Sequence, residues 1–176
     1  LWYQGESDAN AKAAPLFAAK FAALVAAFRS DLGQPDLPFY SVQIGRHMNN
    51  ANIVEWNQVQ EAQRLSENSI PNTIVFAAVD SDLDDGIHVA TPDLKRIGRA
   101  MAGVATGKLK KGPHLDRITV EGQTIRVKFS EVNGKLVSAG RIGGFSVQNS
   151  TGEELPLLYK STLDANDPSS VLLHFQ

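Results

Sequence analysis

Two short stretches of the chain carry side chains of the right types and spacing for proton transfer and anion stabilisation. The first is Asp85-Gly86-Ile87-His88. An imidazole takes a proton from a hydroxyl near neutral pH. A carboxylate on its other ring nitrogen fixes the tautomer and stabilises the imidazolium. Gly86 is expected to let the backbone turn tightly enough for Asp85 to meet His88. By itself this pair also fits a solvated Asp/Gly loop with an incidental histidine. The second stretch is Gln4-Gly5-Glu6-Ser7-Asp8. The Gln4 amide and the Gly5 N–H are candidate donors to a developing oxyanion. The bland reading of the same residues is a polar strand-to-helix turn capped by Ser7 or Asp8. Ser7 is a poor nucleophile candidate. Glu6 and Asp8 flank it where a nucleophile elbow has small residues, and their charge opposes an alkoxide.

The elements that must position these residues alternate. Phe17, Phe21, Leu24, Val25 and Phe28 share one face of a helix expected over Asp8 to Asp31, ended by Gly33 and Pro35. Leu37 to Ile44 is expected to be a buried strand. Asn52 is expected to cap a helix running to about Ser66, with Ile53, Trp56 and Val59 inward. Thr73 to Val79, apolar on both faces, suits a parallel strand covered on both sides. Thr91 is expected to cap a third helix with Pro92 at its first position and Leu94, Ile97, Met101 and Val104 on its apolar face. Helix, strand, helix, strand, helix is the pattern of a parallel α/β sheet. The Asp85–His88 loop follows a strand, where sites form in such sheets.

After residue 107 the pattern changes. Residues 108–113 are basic and bounded by Gly and Pro, and are expected to be a linker. From 114 to 176 the period is two, with strands expected around Ile118–Val120, Ile125–Phe129, Phe145–Val147, Leu155–Tyr159 and Val171–Phe175. This portion is expected to be a small all-β, sandwich-like module, and residues 1–107 part of a three-layer α/β/α domain.

Composition narrows the functional classes. The 176 residues carry a net charge of -2, which gives no basic footprint for nucleic acid. Zero Cys excludes disulfides and thiolate metal sites. The four His residues show no metal-ligand spacing. Asp80, Asp82 and Asp84 mimic the start of a calcium loop, but Asp85 and Thr91 stand where an EF-hand needs Gly and Glu. Ala13 to Phe28 contains Lys20 and falls short of the roughly 20 apolar residues of a membrane span. His47, after Ile44-Gly45-Arg46 at the end of a strand, is placed by position to face the same crevice, but is read as a surface loop residue.

Trp2-Tyr3-Gln4-Gly5-Glu6-Ser7-Asp8, Asp85-Gly86-Ile87-His88 and Thr91-Pro92-Asp93-Leu94 together resemble the acetylesterase branch of the SGNH hydrolases, the sialate O-acetylesterases and related acetylxylan esterases. The resemblance covers Leu1 to about Lys111 and extends more loosely over the β module. It implies serine ester hydrolysis of acetylated carbohydrate, without a cofactor, in proteins that are often secreted or periplasmic. It assigns His88 as general base, Asp85 as its orienting carboxylate, and Gln4 and Gly5 to the oxyanion site. It also implies that the nucleophilic serine lies ahead of Leu1, so that this chain alone is inactive. The rival reading is a non-catalytic carbohydrate-binding or interaction protein on a degenerate SGNH scaffold.

Overall fold

The computed structural model describes residues 1–48 and 52–176, which divide into two compact units, Leu1–Thr106 and Gly107–Gln176. The first unit holds three parallel strands in the order β1 (Trp2–Tyr3), β2 (Phe39–Val42), β3 (Thr73–Phe76). Trp2 pairs with Ser41 and Phe39 with Thr73. Among the described residues β1 forms one edge of this sheet.

Two helices, α1 (Phe17–Asp31) and α2 (Ile53–Ser69), contribute Phe17, Phe21, Val25, Trp56 and Val59 to one core cluster, together with Phe39 and Ile44 from the β2 region. The third, α3 (Thr91–Ala105), contributes Ile97 and Met101 to a second cluster with Val42, Phe76, Ala78 and Val89. The sheet therefore has helices on both faces, the three-layer α/β/α arrangement expected from the pattern.

Local chemistry moves several boundaries. The first helix starts at Phe17 and not at Asp8, because the Asn10 carboxamide oxygen accepts from Lys12 N and Ala13 N and Pro15 lacks an N–H. Residues 6–8 and 14–16 form single 3₁₀ turns. Asn52 stands at the start of α2 in the left-handed conformation (φ 64°), but its side chain makes no capping bond. Ile53 and Leu94, expected inward, are exposed. The cap position of α3 is Ala90, extended at φ -62° and ψ 146°, so Thr91 is already helical and makes no cap bond. Arg29 at the end of α1 donates to Leu37 O and Pro71 O and so ties the segments that enter β2 and β3.

The second unit is antiparallel. Strands β4 (His114–Glu121), β5 (Thr124–Ser130), β8 (Leu158–Leu163) and β9 (Ser170–Phe175) form one sheet in the order β4-β5-β9-β8. β6 (Val147–Gln148) and β7 (Glu154–Leu155) form a two-stranded ribbon. The run expected as one strand from Leu155 to Tyr159 is split between β7 and β8 by a turn at Pro156-Leu157. Val127, Val171 and Leu173 form the core here, and Leu136, Ile142 and Phe145 pack against it. Lys110 is held to Asn133 by two hydrogen bonds, 2.9 and 3.1 Å.

Candidate active site

The β3 strand runs out into a loop, 77–90, that returns to start α3. Leu83 and Val89 form an isolated antiparallel bridge across it, and both pack on the α3 side of the sheet. Asp84 N donates to His88 O (2.9 Å) and Ala90 N to Asp82 O (2.8 Å). Arg96 on α3 binds Asp80, Ser81 Oγ and Asp93, while Asp93 accepts from Asp82 N. The base of the loop is thereby fixed to the helix that follows it.

At its tip, one Asp85 oxygen accepts from Ile87 N (2.8 Å) and His88 N (2.9 Å). The other meets His88 Nδ1 at 2.6 Å. The turn that the sequence assigns to Gly86 is made by this carboxylate instead. Gly86 has no positive φ, and a Cβ there would meet nothing. The signal for the turn was Asp85 itself, in the Asx-turn role that Asp residues fill by bonding backbone N–H groups ahead of them.

These hydrogen bonds set the electrostatics. Bonding from the Ile87 amide, the His88 ring and the His88 amide pulls the Asp85 carboxyl down to about 2. The hydrogen bond and charge of Asp85 raise His88 above its ordinary value, and Glu6 adds in the same direction. Asp85 thus stays ionised wherever His88 titrates. Both side chains are open to solvent, at 55% and 70%. Nε2 of His88 makes no hydrogen bond among the described residues, so it is presented outward. The charge of Glu6 acts on His88 and on Tyr3, whose phenol burial and Glu6 push up to about 12. The turn after β1 and the loop after β3 therefore share an electrostatic neighbourhood.

The turn after β1 is tightly built. Gly5 is buried at φ 151°, and a Cβ on it would lie 2.9 Å from Gln63 Nε2 and 3.1 Å from both Ile44 and Val59. Only glycine fits. The Gln4 amide nitrogen donates to Asp8 Oδ2, so one of its two N–H bonds is already engaged. Ser7 lies within the 3₁₀ turn, its carbonyl accepting from Asn10.

A polar row on α2 holds this rim together, and sequence reasoning missed it. Gln63, 1% exposed, accepts from Ile44 N (2.8 Å) and donates to Gln4 O (2.9 Å), linking the ends of β1 and β2. Gln60 Nε2 donates to Ile44 O and Gly45 O, and Trp56 Nε1 donates to Gly45 O. Residues 56, 60 and 63 lie on one helix face. The available signal was the placement of two glutamines in register with the buried Trp56 and Val59. His47, read from the sequence as a surface residue, is half-buried and stacks on Trp56 at 4.5 Å between ring centroids. Next to it, Met48 N donates to Gly86 O (2.9 Å), so the segment after β2 touches the Asp85–His88 loop.

A strand-end rim bearing an imidazole oriented by a carboxylate suits general acid–base work. The model of the family described as carbohydrate esterase, sialic acid-specific acetylesterase matches residues 1–106. No curated protein matches the chain. A solved carbohydrate acetylesterase from Xanthomonas citri shares its fold, with a TM-score of 0.73 and 23% identity over 98% of this chain and 41% of the other. A protein from Arabidopsis thaliana superposes at a TM-score of 0.52 with 27% identity, over 60% of this chain and 42% of its own. The chain spans about two fifths of the length of these two structures.

Proposed function

The chain belongs to the carbohydrate esterase, sialic acid-specific acetylesterase family, and from that premise we propose that it forms part of a serine O-acetylesterase acting on acetylated sugars of the sialic acid or xylan type. The observation that carries this reading is the 2.6 Å Asp85–His88 pair with Nε2 open. It is supported by the shared electrostatic neighbourhood with the β1 turn.

The nucleophile in this proposal is a serine outside these 176 residues. No hydroxyl among the described residues bonds to His88 Nε2. Its oxygen attacks the acetyl carbonyl while His88 Nε2 accepts its proton. Asp85 holds the ring through Nδ1 and stabilises the imidazolium. The oxyanion is held by the serine's own N–H, by Gly5 and by the remaining N–H of Gln4. Collapse of the tetrahedral intermediate breaks the bond to the sugar oxygen, which takes the proton from His88. Water then attacks the acetyl-enzyme with His88 again as base, releasing acetate and restoring the serine hydroxyl.

The test uses a longer protein that includes the segment ahead of Leu1, with p-nitrophenyl acetate and an O-acetylated sugar as substrates. His88→Ala should lower kcat by several orders of magnitude, towards the roughly millionfold loss seen when a triad member is removed. The 176-residue chain should show no turnover above its own His88→Ala variant. Turnover by the 176-residue chain that is lost in Ser7→Ala would make Ser7 the nucleophile and overturn the assignment.

A further inference from the structure

One of the two edge strands of the four-stranded sheet in the second unit, β4, carries little of the protection that edge strands ordinarily have. β4 is eight residues long and pairs only with β5 among the described residues. Leu115, Ile118 and Val120 are 60%, 56% and 70% exposed. Ile118 and Val120 sit opposite Val127 and Ile125, on the face of the buried cluster, so the apolar face of the sheet continues past its covered part. Natural edges are blunted by charges pointing inward, by prolines, by bulges or by a cover. Here a bulge between Leu115 and Arg117 interrupts only the start of the strand, and Gly122 turns the chain at its end. The regular, unprotected stretch is Arg117-Ile118-Thr119-Val120-Glu121.

We propose that this stretch pairs with the same stretch of a second copy of the chain, antiparallel and centred on Thr119. A two-fold axis through Thr119 sets Ile118 against Val120 of the other copy, and Arg117 against Glu121, twice each. Charge selects this register. Centring on Arg117 would set two like charges face to face. Centring on Ile118 would set Glu121 against Leu115 and Asp116 against Val120. Centring on Val120 would leave Arg117 beyond the partner strand. Opposite charges directly across an antiparallel pair stabilise it, and like charges there do the reverse. Arg117 makes no hydrogen bond or ion pair among the described residues, so its guanidinium is available to Glu121 of the other copy. Glu121 already accepts from Arg126 (2.8 and 3.1 Å) and is held in place for it. The two four-stranded sheets would then run together through paired β4 strands. Five residues a side bury less than a standard interface, so the dimer is weak, with a dissociation constant of about 10–100 µM.

The experiment is sedimentation velocity on the 176-residue chain from about 1 to 500 µM, a range that brackets that constant, together with cysteine cross-linking. Thr119→Cys should form a dimeric disulfide under mild oxidation, because opposed Cβ atoms of a non-hydrogen-bonded pair approach to about 4.5 Å, the upper end of disulfide range, and a small shift of the strands closes the bond. Ile118→Cys, which faces Val120, should react about tenfold more slowly, its own counterpart being a diagonal neighbour. Arg117→Glu and Glu121→Arg should each weaken dimerisation about tenfold, and the double exchange should restore it to within about threefold. Circular dichroism on each variant reports that the fold is kept, and Arg117→Glu and Thr119→Cys alter only exposed side chains. A chain monomeric at the highest concentration overturns the proposal. So does equal cross-linking at positions 118 and 119, or a double exchange that dimerises no better than the single ones.

Discussion

Gln63→Met is the sharpest test of how the rim of the first unit is held. The substitution keeps length and near-helical preference but removes both polar ends. Ile44 N–H, now bonded at 2.8 Å to Gln63 Oε1 in a fully buried position, loses its acceptor. Gln4 O, partly buried, loses the donor at 2.9 Å. A buried group left unsatisfied costs about 1–3 kcal/mol, and the partly wet carbonyl about 0.5–1 kcal/mol. The thioether recovers some packing against Val59 and Ile44, so the net loss should be about 2–3 kcal/mol. Urea unfolding followed by tryptophan fluorescence measures it cleanly, since both tryptophans, Trp2 and Trp56, lie in this unit. Gln58→Met, on the exposed face of the same helix, should change stability by less than about 0.5 kcal/mol. Gln63→Glu adds a pH signature. It keeps an acceptor for Ile44 N but sets an oxygen against Gln4 O. Burial raises its folded pKa, so its deficit should grow as pH rises above about 4.3, the unfolded value. Gln63→Met within about 0.5 kcal/mol of the parent, a difference typical of an exposed site, would refute the idea that this side chain joins the two strand ends.

Gly5→Ala should cost about 2–5 kcal/mol, combining the φ of 151° with overlap against Gln63, Ile44 and Val59, and Gly86→Ala should be near neutral; both are read from the same urea curves. NMR titration of His88 should give a pKa above the ordinary 6.5 or so, and Asp85→Asn should bring it down, because the carboxylate that favours the imidazolium is gone. The sign carries into stability. The raised His88 pKa contributes stability present below about 6.5 and lost as pH rises through its folded value, and the lowered Asp85 pKa contributes stability lost as pH falls towards about 2. If His88 is the general base of the proposed longer enzyme, Asp85→Asn should move the acidic limb of the pH–rate profile to lower pH as well as reducing kcat.

The alternation of elements was legible because it is written in apolar periodicity. Phe17, Phe21 and Val25 announce α1, and the β-branched run after Asn72 announces β3. The Asp85–His88 pair was legible because the two residues are close in sequence and their bond is local. What was not legible depends on contacts across the chain. Gln60 and Gln63 look like surface residues of a helix until the ends of β1 and β2 are seen beneath them. The stacking of His47 on Trp56 joins two elements whose packing no period encodes. Helix starts were misplaced where a polar side chain competed with the helix, as at Asn10, or where the cap was an unremarkable Ala90. The exposure of β4 was likewise hidden, because alternation of Ile118 and Val120 predicts a covered face without saying what covers it.

The parallel ladder of the first unit also bears on the speed of folding. Trp2 meets Ser41, and Phe39 meets Thr73, each across more than thirty residues of chain. No pair of these strands can form as a local hairpin, so loop-closure entropy is lost before the ladder stabilises anything. The helices between them, and the staple of Arg29 onto Leu37 and Pro71, must shorten those loops first. In the second unit, β4 and β5 close around Gly122-Gln123 with Glu121 opposite Thr124 and can zip from the turn. Within these 176 residues the slow-forming parallel sheet thus precedes the local antiparallel pairs β4–β5, β6–β7 and β8–β9. The exposed early state is the one in which Val42, Phe76 and their helices are still apart.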